Sequence, residues 1–168
     1  WGNELITRFP PEPNGLLHIG HAKALSVSGG MAEKYGGKMN LRMDDTNPEN
    51  EDSYFTNMIV EMVDWLGYDY NKNVLYASDY FSHMYDLALK MIENNLAYVD
   101  FNSKEKITEM RGNLYTAGIR SEYANKPIEW HLSEFLNMRD GLYENGHCVL
   151  RAKIDMASPN INMRDPII

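Results

Sequence analysis

The residues best suited to chemistry lie together near the start of the chain: Arg8-Phe9-Pro10-Pro11-Glu12-Pro13-Asn14-Gly15-Leu16-Leu17-His18-Ile19-Gly20-His21. A short apolar run (Leu5, Ile6, Phe9) stops at a turn rich in proline and glycine, and the turn feeds a segment opening on His-Ile-Gly-His. A strand, turn and helix of this kind leave backbone N–H groups facing outward, where an anion can bind. Gly15 and Gly20 allow a phosphate or a base to approach the backbone. Two histidines three apart share one helix face, and each can donate to a phosphate without a metal. A zinc pair is the competing chemistry, but no third ligand lies nearby in sequence. Two ordinary surface histidines are the plainer alternative. Glu12 and Asn14 could equally make turns and cap the helix.

A second set of polar residues closes the next strand. Lys38 to Asp44 alternates, with Met39, Leu41 and Met43 on one side and Lys38, Asn40, Arg42 and Asp44 on the other. Its carboxyl end reads Asp44-Asp45-Thr46-Asn47-Pro48, with Asn47 before Pro48 as a helix N-cap signal. A carboxylate there can pair with an ammonium, and Arg8 can hold a carboxylate or carbonyl. A mutual Arg8–Asp44 ion pair, or a cap, is the alternative.

The elements that must position these groups follow a strand–helix order. Residues 4–9 read as a strand. A helix is expected from about His18 to Tyr35, with Leu25, Ala32 and Tyr35 buried, Gly29-Gly30 packed closely and Gly36-Gly37 ending it. A second helix presents Phe55, Met58, Ile59, Met62 and Leu66 and stops at Gly67. This is the βαβ pattern of a parallel sheet, in which ligands bind beyond the carboxyl ends of the strands. Both chemical stretches fall at those ends. Val74-Leu75-Tyr76 is a short strand. Ser78 or Asp79 then caps a third helix with Phe81, Met84, Ala88, Met91 and Ile92 inward. Residues 97–101 are extended, 111–127 show no periodicity, and 128–139 are helical, with Ile128, Leu132, Phe135 and Met138 buried. Cys148, Leu150, Ala152 and Ile154 alternate with Val149, Arg151, Lys153 and Asp155, a strand with one charged face. The fold class expected is α/β. Residues 1–78 form the first half of a Rossmann-like, parallel-sheet nucleotide-binding domain, and 79–168 an inserted, incomplete α+β subdomain.

Bulk properties bound the function. The 168 residues include one cysteine, Cys148, which excludes a disulfide framework and a cysteine-rich zinc site and suits a reducing cytoplasm. No apolar run is long enough to span a bilayer, so no membrane association is expected. The net charge of −8 argues against a generic nucleic-acid binder, yet nine of the sixteen basic residues lie in 101–168, where a local basic face could still meet RNA. The sequence opens on Trp1 and closes on Pro166-Ile167-Ile168, which reads as mid-strand, so a piece of a longer protein is expected.

The loop at 8–21 resembles the signature of class I aminoacyl-tRNA synthetases, and its Pro-Pro-Glu-Pro-Asn-Gly lead narrows the likeness to the glutaminyl/glutamyl branch. Arg42-Met43-Asp44-Asp45-Thr46-Asn47-Pro48 resembles a second string of that branch, with Met where the family has Phe. Ser78-Asp79-Tyr80-Phe81, Ala97-Tyr98-Val99-Asp100, Arg111-Gly112, Leu150 through Pro159 and Met163 through Pro166 extend the likeness over nearly the whole chain.

The resemblance implies adenylate formation from glutamine and ATP, then transfer to the 3′ end of tRNA, by a cytoplasmic and monomeric ligase. Mg²⁺ accompanies ATP without a dedicated protein site. His18 and His21 would stabilise charge at the α-phosphorus. Glu12, Pro13, Asn14 and the run His18, Ile19, Gly20, His21, Ala22, Lys23, Ala24 would touch ATP. Asp44 would bind the amino group of glutamine, and Arg8 would lie near its side chain. In the family, residues like 79–168 bind the acceptor stem. Leu114 sits where a leucine wedges open the first base pair, its alternative being a loop leucine tucked into the core. Arg111, Arg120, Arg151, Lys153 and Arg164 are candidate phosphate contacts.

The family's Lys-Met-Ser-Lys-Ser-type loop is absent, so these 168 residues alone are expected to be inactive. Competing readings are a glutamyl-tRNA synthetase of the archaeal/eukaryotic type, a small-molecule adenylyltransferase, and a non-catalytic RNA-binding module. The Ile154-Asp155-Met156-Ala157-Ser158 string leans to glutamine.

Overall fold

A computed structural model describes residues 4–47 and 52–168. The chain divides into two compact units, one running to Ser82 and the other from His83.

In the first unit, β1 (Ile6–Phe9), α1 (Ile19–Lys34), β2 (Lys38–Met43), α2 (Ser53–Leu66) and β3 (Val74–Tyr76) alternate as the sequence leads one to expect. The sheet order is β1-β2-β3 and both pairings are parallel. Ile6 faces Lys38 and Phe9 faces Leu41 across the first pair; Leu41 faces Val74 and Met43 faces Tyr76 across the second. The core gathers Met39, Leu41 and Met43 from β2 with Leu25 and Ala32 of α1 and Ile59 and Val63 of α2. Gly29 lets α1 approach Tyr68, whose Cδ1 would lie 2.3 Å from an added Cβ.

Three expectations change here. Tyr35 is the C-cap of α1 and is 59% exposed, lying past the last buried position of the helix at Ala32. The N-cap of α2 is Asp52, whose carboxylate accepts from the Tyr54 N–H at 2.8 Å, and not Asn47; Pro48 lies outside the described residues. Ser78 does not cap a helix. It opens a 3-10 turn (Ser78–Tyr80) that runs into α3 (Phe81–Glu93), and Phe81 and Met84 are exposed, with Ile92 the buried residue.

In the second unit, β4 (Ala97–Asp100) and β5 (Val149–Ala152) pair antiparallel, Ala97 facing Ala152 and Asp100 facing Val149. The backbone of residues 166–168 runs beside β5: Ala152 N–H donates to Pro166 O at 2.9 Å and Ile168 N–H to Leu150 O at 3.0 Å. A core of Ile92, Ala97, Val99, Cys148 and Leu150 receives α5 (Ile128–Arg139) through Ile128, Leu132, Phe135 and Met138. Between them lies a further helix, α4 (Lys104–Arg111), which the sequence did not announce. Its Ser103 cap and buried Ile107 and Met110 suffice for two turns but not for a readable period.

Candidate active site

The opening of α1 is built by its two histidines. His18 is the N-cap, in extended conformation, and its Nδ1 accepts from the Gly20 N–H at 3.0 Å. His21 reaches back, its Nδ1 accepting from the His18 N–H at 3.2 Å. Together they form a reciprocal capping box made of imidazoles, with ring centroids 4.0 Å apart. A backbone N–H can only donate, so each Nδ1 must be the unprotonated nitrogen. Each neutral ring therefore carries its proton on Nε2, leaving two N–H donors at the positive end of a helix. Burial, and then the charge of His18, push the His21 imidazole below its ordinary value, which favours this neutral form. Gly20 has a specific reason here: a Cβ at that position would lie 2.8 Å from Cε1 of His18 and displace the cap. Gly15 faces open space.

The preceding loop is tied to the strand ends. Asp44 N–H donates to Pro11 O at 2.9 Å, so the Pro-rich loop lies beside the carboxyl end of β2. Pro11 and Pro13 are buried, while Glu12 and Asn14 are exposed and joined, Asn14 Nδ2 donating to Glu12 Oε2 at 2.7 Å. Ser28 on α1 donates to Arg8 O at 3.2 Å, and Thr7 donates to Ser28 O at 2.8 Å, pinning α1 to β1. Ile19, Lys23 and Ala24 are exposed, and Ala22 is half-buried, its carbonyl accepting from Ser26 Oγ.

The two aspartates after β2 have different work. Asp45 accepts from both the N–H and the hydroxyl of Ser78, which joins the end of β2 to the turn after β3. Burial would raise its carboxyl, but the Ser78 bonds outweigh that and hold it below the usual carboxylate range. The Asp44 carboxylate has no partner among the described residues, and neither has the exposed Arg8 guanidinium. The two make no ion pair with each other. The Nε of Arg42, beside Asp44, is buried and without a partner among the described residues. The structure thus separates a fixed aspartate from a free one, a distinction that two adjacent identical letters do not carry. Among the described residues no cluster of three or more His, Cys, Asp or Glu side chains is placed to hold a metal ion.

The second-unit candidates divide by burial. Leu114 is 72% exposed and its neighbour Tyr115 97%, so neither is tucked into a core. Arg111 ends α4, half-exposed. Arg151 corrects the expectation of a phosphate contact. It is 0% exposed, its Nη1 paired with Asp100 at 2.7 Å and its Nε donating to Asp165 O at 2.8 Å. Lys153 is half-buried and its Nζ is engaged within the chain, donating to Asn95 Oδ1 and Ala124 O at 2.9 and 3.1 Å. Arg120 chelates Asp165 through Nε and Nη2 at 2.7 and 3.1 Å. Burial would raise the Asp165 carboxyl, but Arg120 and the Ile154 N–H hold it below its ordinary range, and burial pushes the Tyr98 hydroxyl bonded to it upward. Arg164 is buried among backbone carbonyls. Sequence alternation puts Arg151 on the charged face of its strand. Leu150, Arg151 and Ala152 are all buried, so that face is interior.

A family model described as tRNA synthetases class I (E and Q), catalytic domain, matches residues 4–168. The chain is 52% identical over 166 residues to a glutamine–tRNA ligase of Proteus mirabilis, covering 99% of this chain and 30% of that protein. It is 50% identical over 168 residues to the glutamine–tRNA ligase of Nitrosomonas europaea, covering 100% and 30%. The chain therefore spans about a third of the length of the curated relatives it matches. Among solved structures, a glutamate–tRNA synthetase from Elizabethkingia anophelis superposes with a TM-score of 0.61 at 20% identity, over 90% of this chain and 33% of that one. This likeness makes the parallel unit Rossmann-like.

Proposed function

Because this chain belongs to the catalytic-domain family of the class I tRNA synthetases for glutamate and glutamine, we propose that it supplies the ATP- and glutamine-binding opening of a glutamine–tRNA ligase. On this reading residues 79–168 belong to the part that meets the acceptor stem, and the work is done in the cytoplasm as a monomer. The observation that carries the reading is the pairing of a His18/His21 cap, with two Nε2–H donors at the start of α1, and a free Asp44 carboxylate at the carboxyl end of β2. Donors at one place and an acceptor at the next strand suit a polyanion held beside an ammonium.

The reaction has two steps. A glutamine carboxylate oxygen attacks the α-phosphorus of ATP; a P–O bond forms and the bond to pyrophosphate breaks. The terminal ribose hydroxyl of tRNA then attacks the acyl carbon, its proton passes to the departing phosphate, and AMP leaves. Mg²⁺ bound with ATP would supply charge neutralisation at its phosphate oxygens, held by the nucleotide and not by a carboxylate cluster among the described residues. The chain's own residues position and stabilise. Asp44 holds the ammonium of glutamine, and Arg8 stands by its side chain. His18 and His21 donate from Nε2 to the phosphate oxygens on which charge collects. The loop of Glu12, Pro13 and Asn14, fixed to β2 through Pro11, walls the nucleotide on one side. No side chain need take a proton in the first step, so positioning and electrostatics carry it. Glutamine is preferred over glutamate because the relatives near 50% identity bear the name glutamine–tRNA ligase.

Asp44→Asn in the full-length protein containing these residues tests the amino-acid half of the site. A hydrogen bond to a charged group contributes about 1.5–3 kcal/mol, so KM for glutamine should rise roughly 10- to 100-fold. KM for ATP should stay within about twofold, as Asp44 is assigned no nucleotide contact. An unchanged KM for glutamine would remove Asp44 from the site.

A further inference from the structure

We propose that Arg164, with Asn113, is a positioning residue that holds the 112–116 turn as a rigid wedge, so that Leu114 and Tyr115 can open the end of an RNA duplex. The inference rests on the tRNA-ligase reading above.

Arg164 is only 3% exposed, yet it makes no ion pair with any described carboxylate. Its guanidinium is solvated by backbone carbonyls instead. Nη1 lies 3.0 Å from Arg111 O, 3.0 Å from Asn113 O and 2.9 Å from Thr116 O, and Nε donates to Ser158 O at 2.7 Å. Two of these four carbonyls belong to the turn and a third, that of Arg111, immediately precedes it. Carbonyls that converge on a point repel one another unless a cation sits among them, so the turn keeps its shape only with the guanidinium in place. Asn113 closes it from the outer side: its Oδ1 accepts from the N–H groups of Tyr115 and Thr116 at 2.8 and 3.0 Å, and its own N–H donates to Thr116 O at 3.1 Å. Gly112, at φ +73°, completes the fit, since a Cβ there would lie 2.6 Å from Thr116 O.

A turn so heavily fixed presents two large side chains to solvent. Neither adds to a core, so the fixation serves presentation. Apolar groups inserted at a base step unstack it, and single-stranded RNA ends stack on aromatic rings. A wedge held in shape beforehand does not have to be ordered as the base pair opens.

The test compares aminoacylation by the full-length protein of two tRNAs, one with its first base pair intact and one mismatched there. Leu114→Ala serves as a reference, Arg164→Lys and Asn113→Ala as the variants, with thermal melting recorded for each. A displaced wedge should lower kcat/KM on the intact tRNA by about 10-fold or more, and the mismatched tRNA, already open, should restore it to within about threefold of the parent protein. Asn113→Ala leaves the buried guanidinium in place and carries the test if Arg164→Lys does not fold. An equal loss on both tRNAs, or no loss on either, overturns the positioning role. If Leu114→Ala itself shows no difference between the two tRNAs, the wedge reading fails. If Leu114→Ala shows it and the Arg164 and Asn113 variants do not, only the present inference fails.

Discussion

His18→Asn is expected to lower kcat by about 10²- to 10³-fold, the usual loss for one donor aimed at charge developing in a transition state, while the melting temperature stays within about 2 °C of the parent protein. The separation follows from the two nitrogens of the ring. Nδ1 belongs to the helix, where it accepts from Gly20 N–H at 3.0 Å. On the proposed reading, Nε2–H donates to the substrate phosphate. Asparagine is among the best N-cap residues and its short amide can accept from the Gly20 N–H, so the cap survives. It has nothing at the position of Nε2. The longer His18→Gln, whose amide nitrogen can reach near that position, should recover part of the rate. Steady-state kinetics of adenylate formation alongside thermal melts would show whether the two roles separate. A rate loss accompanied by an equal loss of stability would mean that the histidine serves only the helix.

Arg151→Met should destabilise the second unit by about 3–5 kcal/mol, the range found when one member of a buried ion pair is removed. Asp100 Oδ2 loses its partner at 2.7 Å, while Oδ1 keeps the Asn102 and Ser121 bonds. The carboxylate is fully buried, so the lost partner is not replaced by bulk solvent. The double variant Asp100→Asn, Arg151→Met should regain at least about 1 kcal/mol of this, because the uncompensated charge is gone and the amide oxygen still serves Asn102 and Ser121. Denaturant titrations of the two single variants and the double variant give the coupling directly. A residue that contacted tRNA phosphate would behave otherwise: stability would hold, and the salt dependence of tRNA binding would become shallower.

The contrast between Arg151 and His18 shows where the sequence was legible. The first unit could be traced because its elements are punctuated: proline stops β1, glycines end α1 and α2, and β2 alternates with period two. The placement of the two chemical stretches at strand ends follows from that order. Alternation identifies the two faces of a strand but not what covers them. In β5 the charged face turns inward to Asp100 and Asp165, and no local pattern announces partners that are 51 and 14 residues away. The same holds for Asp44 and Asp45. Only the fold brings Ser78, 33 residues on, against one of them and leaves the other free. As a basic residue, Arg164 reads in sequence as a phosphate contact, because basic residues are expected outside. Its carbonyl surroundings come from a turn closed by Gly112 and Asn113, and Asn113 two residues before Tyr115 is the local sign of that turn.

If residues 8–44 present a site for ATP and glutamine in a tRNA ligase, charging of glutamine and glutamate side by side onto tRNA by the full-length protein carrying this chain will reveal it. Glutaminyl-tRNA is the expected product, with glutamine preferred over glutamate by roughly 10³-fold or more in kcat/KM, the scale reached by sites built on specific polar contacts. Equal or greater charging of glutamate, or no adenylate formed from either amino acid, would contradict it.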